Sequence, residues 1–126
     1  MQVNGPKTYT AGEALEEKRL VKLSAAGTVS YADAADDAIG VNDYGVLIGE
    51  PCAVNGLCGC ETREITAADA ITVNADVYQA ADGKIQALPV AAGTYHRIGK
   101  ALEAAAGADS IIEVLPYRTG ETVTVS

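Results

Sequence analysis

Three cysteines, one histidine and a knot of aspartates are the residues with chemistry to offer in this chain of 126 residues. The thiols Cys52, Cys58 and Cys60 follow a C-x5-C-x-C spacing. Structural zinc takes four ligands, commonly as close cysteine pairs. Here the count reaches four only if His96 joins, and a redox C-x-x-C is missing. Asn55-Gly56 carries the signal of a type I′ hairpin turn, which would pair Val54 with Leu57. Side chains alternate across a strand, so that register puts Cys58 and Cys60 on one face and Cys52 on the other. It excludes a disulfide to Cys52, and it predicts small, buried or half-buried thiols that are reduced and metal-free. The aspartates Asp33, Asp36 and Asp37 lack the D-x-[DN]-x-[DN]-G frame of a calcium loop. They read as a solvated turn whose carboxylates cap backbone N–H groups at a helix start. His96 stands between Tyr95 and Arg97 in a predicted strand, with no Gly-x-Ser-x-Gly elbow in the chain to supply a nucleophile. No P-loop, no Gly-x-Gly-x-x-Gly and no carboxylate pair framed by apolar residues occurs. The chain is predicted not to be an enzyme, with no catalytic residue, cofactor or metal.

The elements that would position these residues are short. Glycine and turn signals recur from Gly12 to Gly120, separated by brief apolar or alternating runs. Such spacing predicts an all-β fold, a small barrel or sandwich of short strands and hairpins. Arg19–Leu23 and Thr28–Tyr31, joined by Ser24–Gly27, make one hairpin. Asp76–Gln79 and Lys84–Leu88, joined by Ala80–Gly83, make another. The first runs on to Ile39-Gly40-Val41 and the second to Ile98-Gly99-Lys100, which indicates an internal duplication at a spacing of nearly 60 residues. Glu13–Leu23 and Gly99–Ala106 are rich in helix formers. Neither is read as a helix, and a short helix or loop is expected near Asp33–Ala38.

Composition narrows the function. There is no Trp or Phe, and six Tyr are the only aromatics. A core of Ala, Val, Ile and Leu buries little area per side chain. A domain with such a core gains from a partner surface. The net charge of −8 and the absence of a basic run predict no nucleic-acid partner, since such affinity rests on Lys and Arg at phosphates. Anionic membranes are disfavoured for the same reason, and no apolar run approaches the ~20 residues that span a bilayer. Met-Gln-Val-Asn-Gly-Pro has neither a basic nor an apolar leader segment, so no secretory signal is predicted and synthesis is expected in the cytoplasm.

Several segments, in order, resemble the capsid cement, or head decoration, proteins of tailed phages. They are Tyr9–Leu15, Arg19–Ser24, Gly27–Asp33 and Ile39–Val41 in the first half. In the second half they are Ala70-Ile71, Ala75–Tyr78, Asp82–Ile85, Ile98–Ala104 and Asp109–Leu115. The resemblance implies a mainly β protein without catalytic residues, carried on the outer surface of an icosahedral head and stabilising contacts between major capsid proteins. It implies that Gly99–Leu102 ends a strand partnered by Asp109–Leu115. Three parts are expected: an extended N-terminal arm over residues 1–10, a β domain over 11–117 and a C-terminal extension over 118–126. On this reading the arm lies on a capsid subunit through Val3, Pro6, Thr8, Tyr9 and Thr10. The protein associates with itself, as a homotrimer rather than a dimer. The alternative is a head-surface or fibre-base module that binds glycans or host surfaces. A zinc-dependent regulator built on Cys52, Cys58, Cys60 and His96 is a third.

Overall fold

The computed structural model describes residues 7–57, 61–117 and 121–126. The described residues form eleven strands: β1 (Lys7–Ala11), β2 (Leu20–Ala25), β3 (Thr28–Tyr31), β4 (Gly40–Asn42), β5 (Pro51–Gly56), β6 (Arg63–Thr66), β7 (Asp76–Gln79), β8 (Ile85–Gln86), β9 (Gly93–Ala101), β10 (Ile111–Pro116) and β11 (Thr122–Val125). A single 3-10 turn, Ala81–Gly83, is the one helical element among the described residues. The all-β expectation and both predicted hairpins are borne out. Asp33–Ala38 is a loop rather than a helix.

Strands β1 to β5 close a barrel in the order β1-β3-β2-β4-β5, with β1 parallel to β3 and antiparallel to β5. Strands β6 to β10 form a second sheet in the order β6-β10-β9-β7-β8, and β11 adds to β9. The second order is the first repeated. The match extends to individual pairs: Val21↔Gly40 between β2 and β4 recurs as Val77↔Gly99 between β7 and β9. Tyr9↔Cys52 recurs as Ile65↔Ile112. The parallel pair Ala11↔Val29 recurs as a lone bridge, Ala67↔Ile85, joining the ends of the second sheet. Lys18 and Asn74, both at positive φ (57° and 72°), occupy equivalent turns that lead into β2 and β7. The duplication read from the Ile-Gly strands is therefore a duplication of the whole five-stranded unit.

Two cores follow from this arrangement. The first barrel encloses Ala11, Leu15, Val21, Val29, Val46, Cys52 and Val54. Their counterparts Ala67, Ile71, Val77, Ile85, Ala105, Ile112 and Val114 fill the second. The halves are joined through β2. Its successive residues Leu20 and Val21 face opposite ways, and both are fully buried, Val21 in the first core and Leu20 in the second. This double burial explains why Glu13–Leu23 is no helix: residues 13–19 form a loop, and β2 is a strand whose first two residues each face a core. Backbone bonds stitch the same seam, from Thr66 N–H to the Lys18 carbonyl (2.8 Å) and from Gly83 N–H to the Ala32 carbonyl (2.9 Å).

The Asn55-Gly56 turn is a correction. Both residues continue β5, with Asn55 paired to Val41 and Gly56 to Gly40. β5 pairs with β1 over residues 51–54 and with β4 over residues 54–56, and carrying the strand through Gly56 makes backbone bonds to β4 that a local hairpin would forfeit. Two segments assigned outside the β domain also contain strand. Residues 7–10 belong to β1, because Thr8 and Thr10 point outward while Tyr9 and Ala11 face the core. Residues 122–125 form β11, which pairs with the first residues of β9.

Candidate functional site

Cys52 and His96 do not share a site. Cys52 lies in the core of the first barrel, with no exposed surface, and burial pushes its thiol pKa up, away from the reactive thiolate. Its counterpart in the second core is Ile112, so the fold uses the thiol as a small apolar side chain. Cys58 and Cys60, and with them the predicted opposition of faces, lie outside the described residues. His96 sits on β9, where its Nδ1 is 3.5 Å from Asp37 Oδ1. Among the described residues no three His, Cys, Asp or Glu side chains converge as metal ligands.

The aspartates build the seam between the barrels. Asp36 accepts from the Asp33 backbone N–H (2.8 Å) and from Lys22 Nζ (2.9 Å). Asp33 Oδ1 accepts from the Asp82 backbone N–H across the seam (3.0 Å). Buried Gln79 completes the joint: its amide donates to the carbonyls of Asp33 and Asp36 and accepts from Ala38 N–H. The Asp33 N–H first, and the Lys22 ammonium second, hold the Asp36 carboxyl below its ordinary pKa. A depressed carboxylate contributes stability above its unfolded pKa of about 3.9 and loses it as pH falls through the lower folded value. The variant Asp36→Asn is therefore expected to melt below the wild type at pH 7. The gap should close on acidification below about pH 4. Thermal melts of both proteins from pH 7 to pH 2 measure it, and a gap that stays constant would rule out the charge as its source.

A cleft of about 540 Å³ opens beside this seam, lined by Ile39, Leu57, His96, Arg97, Tyr117 and Glu121. Two of its polar groups converge on Asp76. Tyr117 donates to Asp76 Oδ1 (2.9 Å), its hydroxyl pKa raised by burial and by that carboxylate, and Arg97 lies 3.9 Å from the same carboxylate. None is arranged as a nucleophile with its base.

Of the predicted capsid-contact residues, Val3 and Pro6 lie outside the described residues. Thr8 and Thr10 are exposed on the outer face of β1. Tyr9 packs against the first core with Lys7 Nζ 5.3 Å from its ring centroid, so much of its surface is already committed.

The surface residues that sequence reasoning missed lie between β4 and β5. Tyr44, Leu47 and Ile48 are 56%, 65% and 70% exposed. Their backbone is tied down. Leu15 and Val46 exchange two backbone bonds of 2.9 Å, Gly49 N–H reaches the Ala11 carbonyl, and the Glu50 carboxylate accepts from Leu47 N–H (2.7 Å). The signal was present in the run Val46-Leu47-Ile48 between Gly45 and Gly49. It becomes legible only when the two halves are aligned, for the equivalent turn is Gly107-Ala108-Asp109-Ser110.

A comparison with curated proteins finds no match. Among solved structures, the chain is similar to the crystal structure of the N base of the head fibre gp8.5 in bacteriophage phi29. The TM-score is 0.71 at 18% sequence identity, over 90% of this chain and 94% of that one. At that identity the likeness is one of fold, and it takes in both halves. A protein-family model described as phage cement protein matches residues 2–116, a span that includes both five-stranded units and stops short of β11. The chain belongs to the phage cement protein family.

Proposed function

We propose that this protein is a non-catalytic cement of a phage head. It binds the outer surface of the icosahedral shell and braces contacts between adjacent major capsid proteins. The family match over residues 2–116 carries the reading. Two physical features support it. A chain of net charge −8 is repelled by packaged DNA and suits the outer face. Its cores are built largely from Ala and Val, so binding to a lattice adds stability that the fold alone supplies thinly. In this reading the chain acts as a homotrimer, and Val3, Pro6, Thr8 and Thr10 lie on a capsid subunit with the free edge of Tyr9. A second reading, a base that carries a glycan- or host-binding part, draws on the fold it shares with the phi29 head fibre base.

The test is sedimentation of the purified chain with undecorated heads of the phage that encodes it. Cement is expected to saturate at a fixed ratio to the major capsid protein, because lattice symmetry sets the number of sites. A protein left in the supernatant at saturating concentration would overturn the proposal. Copies at a small minority of the lattice positions would favour the fibre-base reading.

A further inference from the structure

The side chains of Leu47 and Ile48, in the turn between β4 and β5, pack against neither core. The second barrel builds the same turn from Gly107-Ala108-Asp109-Ser110, so neither backbone geometry nor core packing calls for Leu47 and Ile48. Positive φ values at Gly49 (83°) and Asp109 (69°) mark the same bend in both copies. Yet the first copy sets two large aliphatic side chains side by side in solvent, with Tyr44 on the same loop. Exposed apolar residues scattered singly are ordinary, whereas contiguous ones mark interaction surfaces. The ties that hold this loop mean that its side chains are presented without a large ordering cost, which favours affinity.

The surroundings restrict the partner. Between this turn and residues 14–17 runs an open groove of about 580 Å³, with Glu16, Glu17 and Glu50 along it and buried Leu15 and Val46 beneath. An acidic rim around an apolar tip calls for a basic rim around an apolar depression. A second copy of this chain is poorly suited to supply one, since six of its nine Lys and Arg are already in ion pairs. Its net charge is −8, and the six are Lys18, Arg19, Lys22, Arg63, Lys84 and Arg97.

We propose that Tyr44, Leu47 and Ile48 are the anchor by which the first barrel seats on a capsid subunit, in an apolar depression flanked by lysine or arginine. The proposal rests on the head-binding reading and assigns it a surface. Affinity comes from the apolar tip, while the acidic rim sets orientation and a dependence on salt.

Three variants test it against undecorated heads. Leu47→Asp with Ile48→Asp is expected to weaken binding by 30-fold or more. Leu47→Gly with Ile48→Ala copies the turn of the second barrel. It should keep the wild-type melting temperature while weakening binding about tenfold. Glu17→Lys should weaken binding at low salt and flatten its salt dependence. Wild-type protein that fails to bind heads at all removes the head-binding reading itself, and the anchor with it. Wild-type protein that binds, with both loop variants binding within twofold of it, overturns the anchor alone. Loop variants that bind heads normally but sediment as smaller assemblies would make this turn an interface between copies, which also overturns it.

Discussion

Deleting residues 2–9 is expected to abolish cooperative unfolding of the first barrel, and deleting residues 2–6, which keeps all of β1, to cost less. The difference lies in β1. Lys7, Thr8, Tyr9 and Thr10 pair with Val54, Ala53, Cys52 and Pro51, and β1 closes the barrel against β3 on its other edge. The longer deletion opens both neighbouring edges, uncovers Cys52 and Val29, and removes Tyr9 from the core. Backbone hydrogen bonds contribute about 1 kcal/mol each, and exposing buried donors and acceptors costs more. Several such losses, with the packing of Tyr9, come to roughly 5 kcal/mol, a large part of the 5–15 kcal/mol that holds a domain of this size together. Circular dichroism melts of both truncations check the result. A Δ2–9 protein that melts like the full chain would show that β1 is dispensable and that the arm extends to residue 10. The Δ2–6 protein then has a second use. Once its melt shows that it folds, its affinity for heads reports the contribution of residues 2–6, Val3 and Pro6 among them.

Gly99→Ala is expected to cost about 3 kcal/mol or more, and Gly40→Ala nearly as much, although each adds one methyl group. A Cβ at Gly99 would run into the Leu115 carbonyl oxygen, with the Leu115 carbonyl carbon at 2.8 Å and Pro116 Cα at 2.9 Å. These are backbone atoms of the paired strand β10, so no side chain can swing aside. At Gly40 the obstruction is the Asn55 carbonyl oxygen, with Val54 Cγ1 at 2.7 Å. The two glycines are the same residue of the duplicated unit, pairing with Pro116 and with Gly56. Close approach of β4 to β5, and of β9 to β10, is thus a requirement of the repeat. For a domain of this size a loss of 3 kcal/mol lowers the melting temperature by roughly 10 °C or more. Gly107→Ala is the control, since nothing lies within 4 Å of its Cβ position, and it should melt within a degree or two of wild type. A Gly99→Ala protein as stable as that control would refute the close approach.

The same two glycines show how the sequence could be read. Ile39-Gly40 and Ile98-Gly99 were visible as a repeated signature because a backbone that close admits one residue type. The hairpins β2–β3 and β7–β8 were visible because their turns are local. Asn55-Gly56 was misleading for a complementary reason. Its turn preference is local and real, but Asn55 and Gly56 pair with Val41 and Gly40 of β4, and that ladder outweighs the dipeptide. The alternation in Lys7-Thr8-Tyr9-Thr10-Ala11 was also present, with threonines out and Tyr9 and Ala11 in. It lost its meaning beside Gly5-Pro6, which suggested an arm.

By itself, then, the sequence determined the class of fold and the spacing of the duplication. Glycine spacing, period-2 runs, the lack of nucleophile–base motifs and a net charge of −8 are properties of single residues and their near neighbours. The resemblance to phage cement proteins came from the same short segments. Tertiary structure decided what depends on distant partners. It closed β1 against β5, buried β2 on both faces, and turned Asp33, Asp36 and Gln79 into the joint between barrels. It also left Leu47 and Ile48 in solvent. An apolar run in a sequence looks the same whether it fills a core or meets water. Only the packing of the rest of the chain, which fills both cores without these two side chains, separates one from the other.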